Sequence, residues 1–232
     1  MKCAFVRLDI NVALEFLEPA FELPSKVADV CACLHRALVP RYQLQLKDIQ
    51  SFGGISYEDV KLLVQTFGGN GRIEIQASGV SMTFRHMSKD DIKTVRDFSG
   101  ISEKALKSAL PNISFGQRGF KAQAWLACEE DGRSAADAML QKRGNLALET
   151  DRGIFAKYEK EFTLKAELRD PATGVKIVFL IERTQLTDAN LFIEATVVFP
   201  QSMEFEAQFD EALGHYAEIL RHLGLEVEGV PK

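Results

Sequence analysis

The 232-residue chain carries 28 lysines and arginines against 33 acidic residues, a formal net charge of −5, with 46% hydrophobic and 26% charged residues. That is ordinary globular composition, and the acidic balance argues against a nucleic-acid partner, whose phosphates require a basic face. No stretch approaches the ~20 consecutive apolar residues of a membrane-spanning helix, so no membrane partner is expected. The opening residues meet Arg7 and Asp9 too soon for a signal-peptide core, and a cytoplasmic location is expected.

Ala4, Val6, Leu8, Ile10 and Val12 alternate with Phe5, Arg7, Asp9 and Asn11, the period of a strand with one buried face. Val27, Val30, Cys31, Leu34 and Leu38 then make a helical stripe over 25–38, closed by Pro40. A polar, irregular link with a bend at Phe52-Gly53-Gly54 leads to a three-strand meander. Its strands are Val60–Phe67, the segment around Ile73 and Ile75, and the segment around Val80, Met82 and Phe84, with a turn at Gly68–Gly71. Ser88 and Asp91 have capping-box spacing and open a helix over 89–110, expected to bend or break at Gly100, recap at Ser102 and stop at Pro111.

The second half begins with a strand in which Phe120, Ala122, Ala124, Leu126 and Cys128 share a face. Gly132 ends it, and Ser134 with Asp137 caps a helix carrying Ala135, Ala138, Met139 and Leu140. Three strands fill Phe155–Phe199: an alternating one from Tyr158 to Leu168, a central one at Val175–Ile181 covered on both faces, and Leu191–Phe199, closed by Pro200. Turns fall at Asp170–Gly174 and Thr187–Asn190, and a four-residue second turn would set Arg183 opposite Glu194. A long helix follows from Met203 to Leu223, with Ser202 as N-cap and Phe205, Phe209, Ala212, Leu213, Tyr216, Ile219 and Leu220 on its buried stripe. Gly224 can take the left-handed position after it, and Leu225 packs back.

The expected fold is α+β: an antiparallel curved sheet built from two similar strand–helix–three-strand–helix halves, residues 1–113 and 114–232, joined into one compact unit with the C-terminal helix packed on the sheet. This element order is similar to that of the duplicated saddle of the TATA-box-binding protein and of helix-grip folds. The likeness concerns order alone and implies no function.

No catalytic residue, metal site or cofactor is assigned. Cys3, Cys31, Cys33 and Cys128 lack disulfide or zinc spacing and read as reduced, buried thiols. In Cys31-Ala32-Cys33-Leu34-His35 the two thiols point about 200° apart on a helix and cannot close on one metal. His215 and His222 lie ~10 Å apart along theirs. Gly68-Gly69-Asn70-Gly71 leads into a strand rather than a helix, which makes it a turn and not a phosphate loop. Glu159, Glu161, Glu167, Glu182 and Glu194 lie among Lys157, Lys160, Lys165 and Lys176, as on the wet face of a sheet. Arg118, Arg133, Lys142 and Arg143 flank Trp125, but Glu129, Glu130 and Asp131 interrupt them.

Three readings of function follow. The first is a non-enzymatic binding protein whose sheet engages a protein partner or a second copy of itself, because exposed edge strands need covering. The second is a small-molecule site, with or without catalysis, between the sheet and the C-terminal helix; a fully packed space beneath Phe205, Phe209 and Tyr216 would exclude it. The third is nucleic-acid binding, which the charge balance disfavours.

Overall fold

The computed structural model describes residues 2–53, 56–128, 163–184, 191–200 and 204–227. The fold is mixed α+β: a ten-stranded sheet and, among the described residues, three long helices. In chain order these are β1 (Lys2–Phe16), α1 (Leu23–Tyr42), β2 (Ile49–Phe52), β3 (Lys61–Thr66), β4 (Gly71–Gln76), β5 (Gly79–Met87), α2 (Ile92–Ala109), β6 (Phe115–Cys128), β7 (Thr163–Arg169), β8 (Lys176–Arg183), β9 (Leu191–Phe199), α3 (Phe205–His222) and β10 (Glu226–Val227). The strand order is β2-β3-β4-β5-β1-β6-β9-β8-β7, antiparallel throughout, with β10 added in parallel to Lys2 and Cys3 of β1.

Both meanders form as their alternation requires, because each strand buries one face against the helices. Leu62, Ile73, Ile75, Met82 and Phe84 are fully enclosed in the first, and Ile181, Ile193, Ala195 and Val197 in the second. The central strands β1 and β6 pair along most of their length, from Cys3 opposite Cys128 to Phe16 opposite Phe115. Two aromatic clusters fill the layer beneath the helices. Phe98 of α2 meets Phe84 edge-on at 5.7 Å and Tyr42 at 4.9 Å, while Phe120 of β6 meets Phe199, Phe205 and Phe209 at 5.6–5.7 Å. Each buried ring contributes roughly 1.5–3 kcal/mol of transfer free energy.

Several local expectations are corrected. In β1 the register against β6 slips between Phe5 and Arg7, so Val6 is the extra residue of a bulge. Val6 is therefore 42% exposed, while Phe5, expected outside, packs against the core. Helix α1 begins at Leu23 with Pro24 in its first turn and continues past Pro40 to Tyr42, since a proline in the last turn removes only one hydrogen bond there. The link after it contains an edge strand, β2, that its polar sequence did not announce. Gly100 does not break α2: the helix is continuous, and the Ser102 hydroxyl donates to the Phe98 carbonyl at 2.8 Å instead of recapping it.

Strand β8 is half-buried over most of its length rather than covered on both faces, because among the described residues only β7 separates it from the sheet edge. Arg183 stands opposite Leu191, and Glu194 opposite Leu180, so the expected cross-strand ion pair does not form. The N-cap position of α3 is Glu204, two residues after the expected one, and Ser202 lies outside the described residues. So do the turn at 187–190, residues Tyr158–Phe162 of the alternating strand and the helix expected after Ser134.

Two short-range expectations hold in detail. The Ser88 amide and hydroxyl both donate to the Asp91 carboxylate, at 2.9 and 2.7 Å, which holds that carboxyl below its ordinary pKa. At the end of α3, Gly224 has φ +74° and the Leu225 amide donates to the Leu220 carbonyl at 2.9 Å, turning Leu225 into the core.

The polar face of β1 carries a buried carboxylate. Asp9, 7% exposed, accepts from the Arg7 guanidinium and from the His86 amide at 2.9 Å. Burial alone would raise its pKa, but the Arg7 fork and the His86 N–H together hold it below the ordinary value. A depressed folded pKa contributes stability that is fully present above the unfolded value, about 3.9, and is lost as pH falls through the folded one. Asp9→Asn should therefore be less stable than the parent at pH 7, and the gap should close on acidification below about pH 4. Urea midpoints at pH 7 and pH 3 check this; a constant gap would mean that the carboxylate's charge contributes nothing.

Candidate functional site

Helices α2 and α3 meet between the middle of α2 and the first turns of α3. They come close at Gly100, where an added Cβ would stand 2.9 Å from Glu206 Oε1 and 3.4 Å from the Phe205 ring. This close approach is what the glycine provides. Around it, Lys104 reaches Glu206 at 2.7 Å and Arg96 reaches Asp210 at 2.7 Å, and the Lys104 ammonium holds the Glu206 carboxyl below its ordinary pKa. Beneath the crossing Arg118 of β6, 6% exposed, donates to Glu103 of α2 at 2.7 Å and to Gln208 of α3 at 2.8 Å. Lys107 adds a second cation to Glu103 at 2.8 Å.

Toward the start of α2 and the end of α3 the helices stand apart over a cleft of about 390 Å³. Its floor is apolar: Phe5, Leu8 and Ile10 of β1, with the small Ala122 of β6 leaving room between them. The Val6 bulge turns Phe5 into this floor. Leu213 and Tyr216 form the α3 wall, and a side chamber of about 30 Å³ continues beneath Phe209 and Tyr216. The opposite wall is cationic, with Lys89, Lys93 and Arg96 set against one acid, Asp210. Lys93 is exposed, and among the described residues it makes no ion pair. The Tyr216 hydroxyl is buried with no hydrogen-bond partner among the described residues, and burial pushes its pKa up.

The space beneath Phe209 and Tyr216 of the C-terminal helix is thus not fully packed. Sequence reasoning named Tyr216, Leu213, Leu8 and Ile10 only as core residues and missed Lys89, Lys93 and Arg96. Their spacing, with Ile92 between them, was visible as one side of a helix, but what faces that side depends on how α2 and α3 cross.

The other residues weighed from the sequence do not converge. Arg118 is a buried structural cation rather than part of a basic surface, and Arg133, Lys142 and Arg143 lie outside the described residues. Trp125 is covered by the Arg7 guanidinium at 4.5 Å and packs on Phe192 at 4.9 Å. Glu167 pairs with Lys176 at 2.8 Å, and Glu194 accepts from Gln123 at 2.7 Å with Lys121 at 3.3 Å; Glu159 and Glu161 lie outside the described residues. His215 lies 3.6 Å from Glu211, and His222 meets the Glu218 carbonyl at 3.0 Å, each within its own helix. Cys31 and Cys33 are half-buried on α1, whereas Cys3 and Cys128 are buried and face each other across β1 and β6 with their sulfurs 2.7 Å apart. The neighbouring Cys3 thiol draws the Cys128 pKa below its ordinary value against the opposing effect of burial.

No protein-family model matches the chain, and no curated protein matches it significantly. No helix among the described residues is long and apolar enough to cross a membrane.

Proposed function

We propose that this protein is a binding protein that holds a small amphipathic anion in the cleft between α2 and α3. The observation that carries the reading is the cleft's division into an apolar floor and a cationic wall within about 390 Å³. Pockets of roughly 300–1,000 Å³ hold small ligands through apolar burial and take their orientation from a few polar groups. Here Phe5, Leu8, Ile10 and Leu213 would cover a hydrocarbon or aromatic body, while Lys93, with Lys89 and Arg96 nearby, would face a carboxylate, sulfonate or phosphate.

The site would also have a natural place in a duplicated fold. Strands β5-β1 and β9-β6 hold equivalent positions on either side of the sheet's centre, and α2 and α3 follow β5 and β9 respectively. Each half, 1–113 and 114–232, thus supplies one floor strand and one wall helix, which supports reading the chain as two copies of one plan joined at the cleft. Normal strand twist accumulated over ten strands would curve the sheet around the helix layer.

The fluorescent amphipathic anion 8-anilinonaphthalene-1-sulfonate provides a direct probe. The folded protein is expected to bind it in a saturable way, Lys93→Glu to weaken binding about tenfold, equivalent to ~1.4 kcal/mol, and dodecanoate to displace it. Equal affinity for the parent and Lys93→Glu would remove the cationic wall from the reading, and an absence of saturable binding would overturn it.

A further inference from the structure

Among the described residues strand β7 ends the sheet, and its sequence, Thr163-Leu164-Lys165-Ala166-Glu167-Leu168-Arg169, is complementary to itself when reversed. Its direction of hydrogen bonding follows from the adjoining turn. The Asp170 amide donates to the Val175 carbonyl at 2.9 Å, and Asp170 continues the register in which Arg169 faces Lys176. In an antiparallel ladder, inward and outward groups alternate. Leu164, Ala166 and Leu168 therefore use their amides and carbonyls on β8, while Thr163, Lys165, Glu167 and Arg169 point theirs away from the sheet.

We infer that a second copy of this chain pairs with β7 across a two-fold axis at Ala166, joining the two sheets into one. Around that axis Lys165 faces Glu167 of the other copy, and Glu167 faces its Lys165, both in pairs whose backbone groups are the outward ones. On the opposite face of the strand Leu164 meets Leu168 of the other copy. Leu164 already packs against the core, and Leu168 is 51% exposed in the single chain, so this pairing covers the apolar residue that the edge leaves open. Moving the axis to Lys165 sets lysine opposite lysine. Moving it to Glu167 sets glutamate opposite glutamate and Lys165 opposite Arg169. An axis at Leu168 would also set Glu167 opposite Arg169 but would pair only residues 167–169 of β7; the axis at Ala166 satisfies charge, backbone and apolar face while pairing all seven residues of the strand. A two-fold interface must be complementary to itself, as this strand is.

The inference is independent of the cleft, which lies at the centre of the sheet. It is tested on the full chain by light scattering coupled to size exclusion, with circular dichroism to confirm folding. The parent is expected to be a dimer. Lys165→Glu places glutamate against Glu167 and is expected to give a folded monomer, and the double variant Lys165→Glu with Glu167→Lys restores opposite charges and is expected to return to a dimer. Hydrogen exchange of the parent should show protection of the Lys165 and Glu167 amides that rises with protein concentration. A monomeric parent, a dimer indifferent to Lys165→Glu, or a double variant that stays monomeric would each overturn the interface.

Discussion

Replacing Arg118 with methionine is expected to destabilise the fold by about 3–5 kcal/mol, the range for breaking a buried ion pair from one side. The Arg118 and Glu103 side chains are 7% and 4% exposed, so removing the guanidinium leaves a carboxylate deprived of its buried partner and a Gln208 oxygen deprived of its donor. Lys107, half-exposed, reaches the same carboxylate and places the loss toward the lower end of that range. The cost should come from the orphaned groups rather than from the absence of the bond itself. Arg118→Met combined with Glu103→Met should therefore recover most of the stability, since replacing both charges with apolar groups of similar size is often near neutral. Urea unfolding of the two variants decides this. A single substitution costing less than about 1 kcal/mol would mean that water reaches the pair in solution.

Phe209→Ala should cost about 3–5 kcal/mol through lost burial and the cavity left behind. The ring is 2% exposed, stands edge-on to Phe120 at 5.6 Å and helps to line the small chamber beside the cleft. Enlarging that chamber gives the substitution a second consequence: room for a bulkier apolar body, so 8-anilinonaphthalene-1-sulfonate should bind the variant no more weakly than the parent. An unchanged thermal midpoint would contradict the docking of α3, because a substitution that costs almost nothing is the behaviour of a surface position, usually within about 0.5 kcal/mol, and not of a buried ring.

What could be read in advance was what is local. The Ser88–Asp91 cap, the Gly224–Leu225 turn and the alternation of both meanders need only near neighbours in sequence, and all are present. Features that depend on partners distant in sequence were missed or inverted. Val6 leaves the core only because β1 bulges against β6, and Gly100 reads as a helix breaker until α3 is known to lie against it. Arg118 looked like surface charge because neither Glu103 nor Gln208 could be placed beside it. The cleft is legible least of all. Its lining comes from β1, α2, β6 and α3, and its existence depends on two helices that touch at Gly100 and stand apart beyond Arg96.

The most direct test of the cleft is native mass spectrometry of the 232-residue chain with added dodecanoate, beside the variant Ala122→Phe, which fills the floor. The parent should retain one bound dodecanoate per chain and the filled variant none, with the same circular dichroism spectrum for both. Equal retention by the two, or none by either, would contradict the cleft as the binding site.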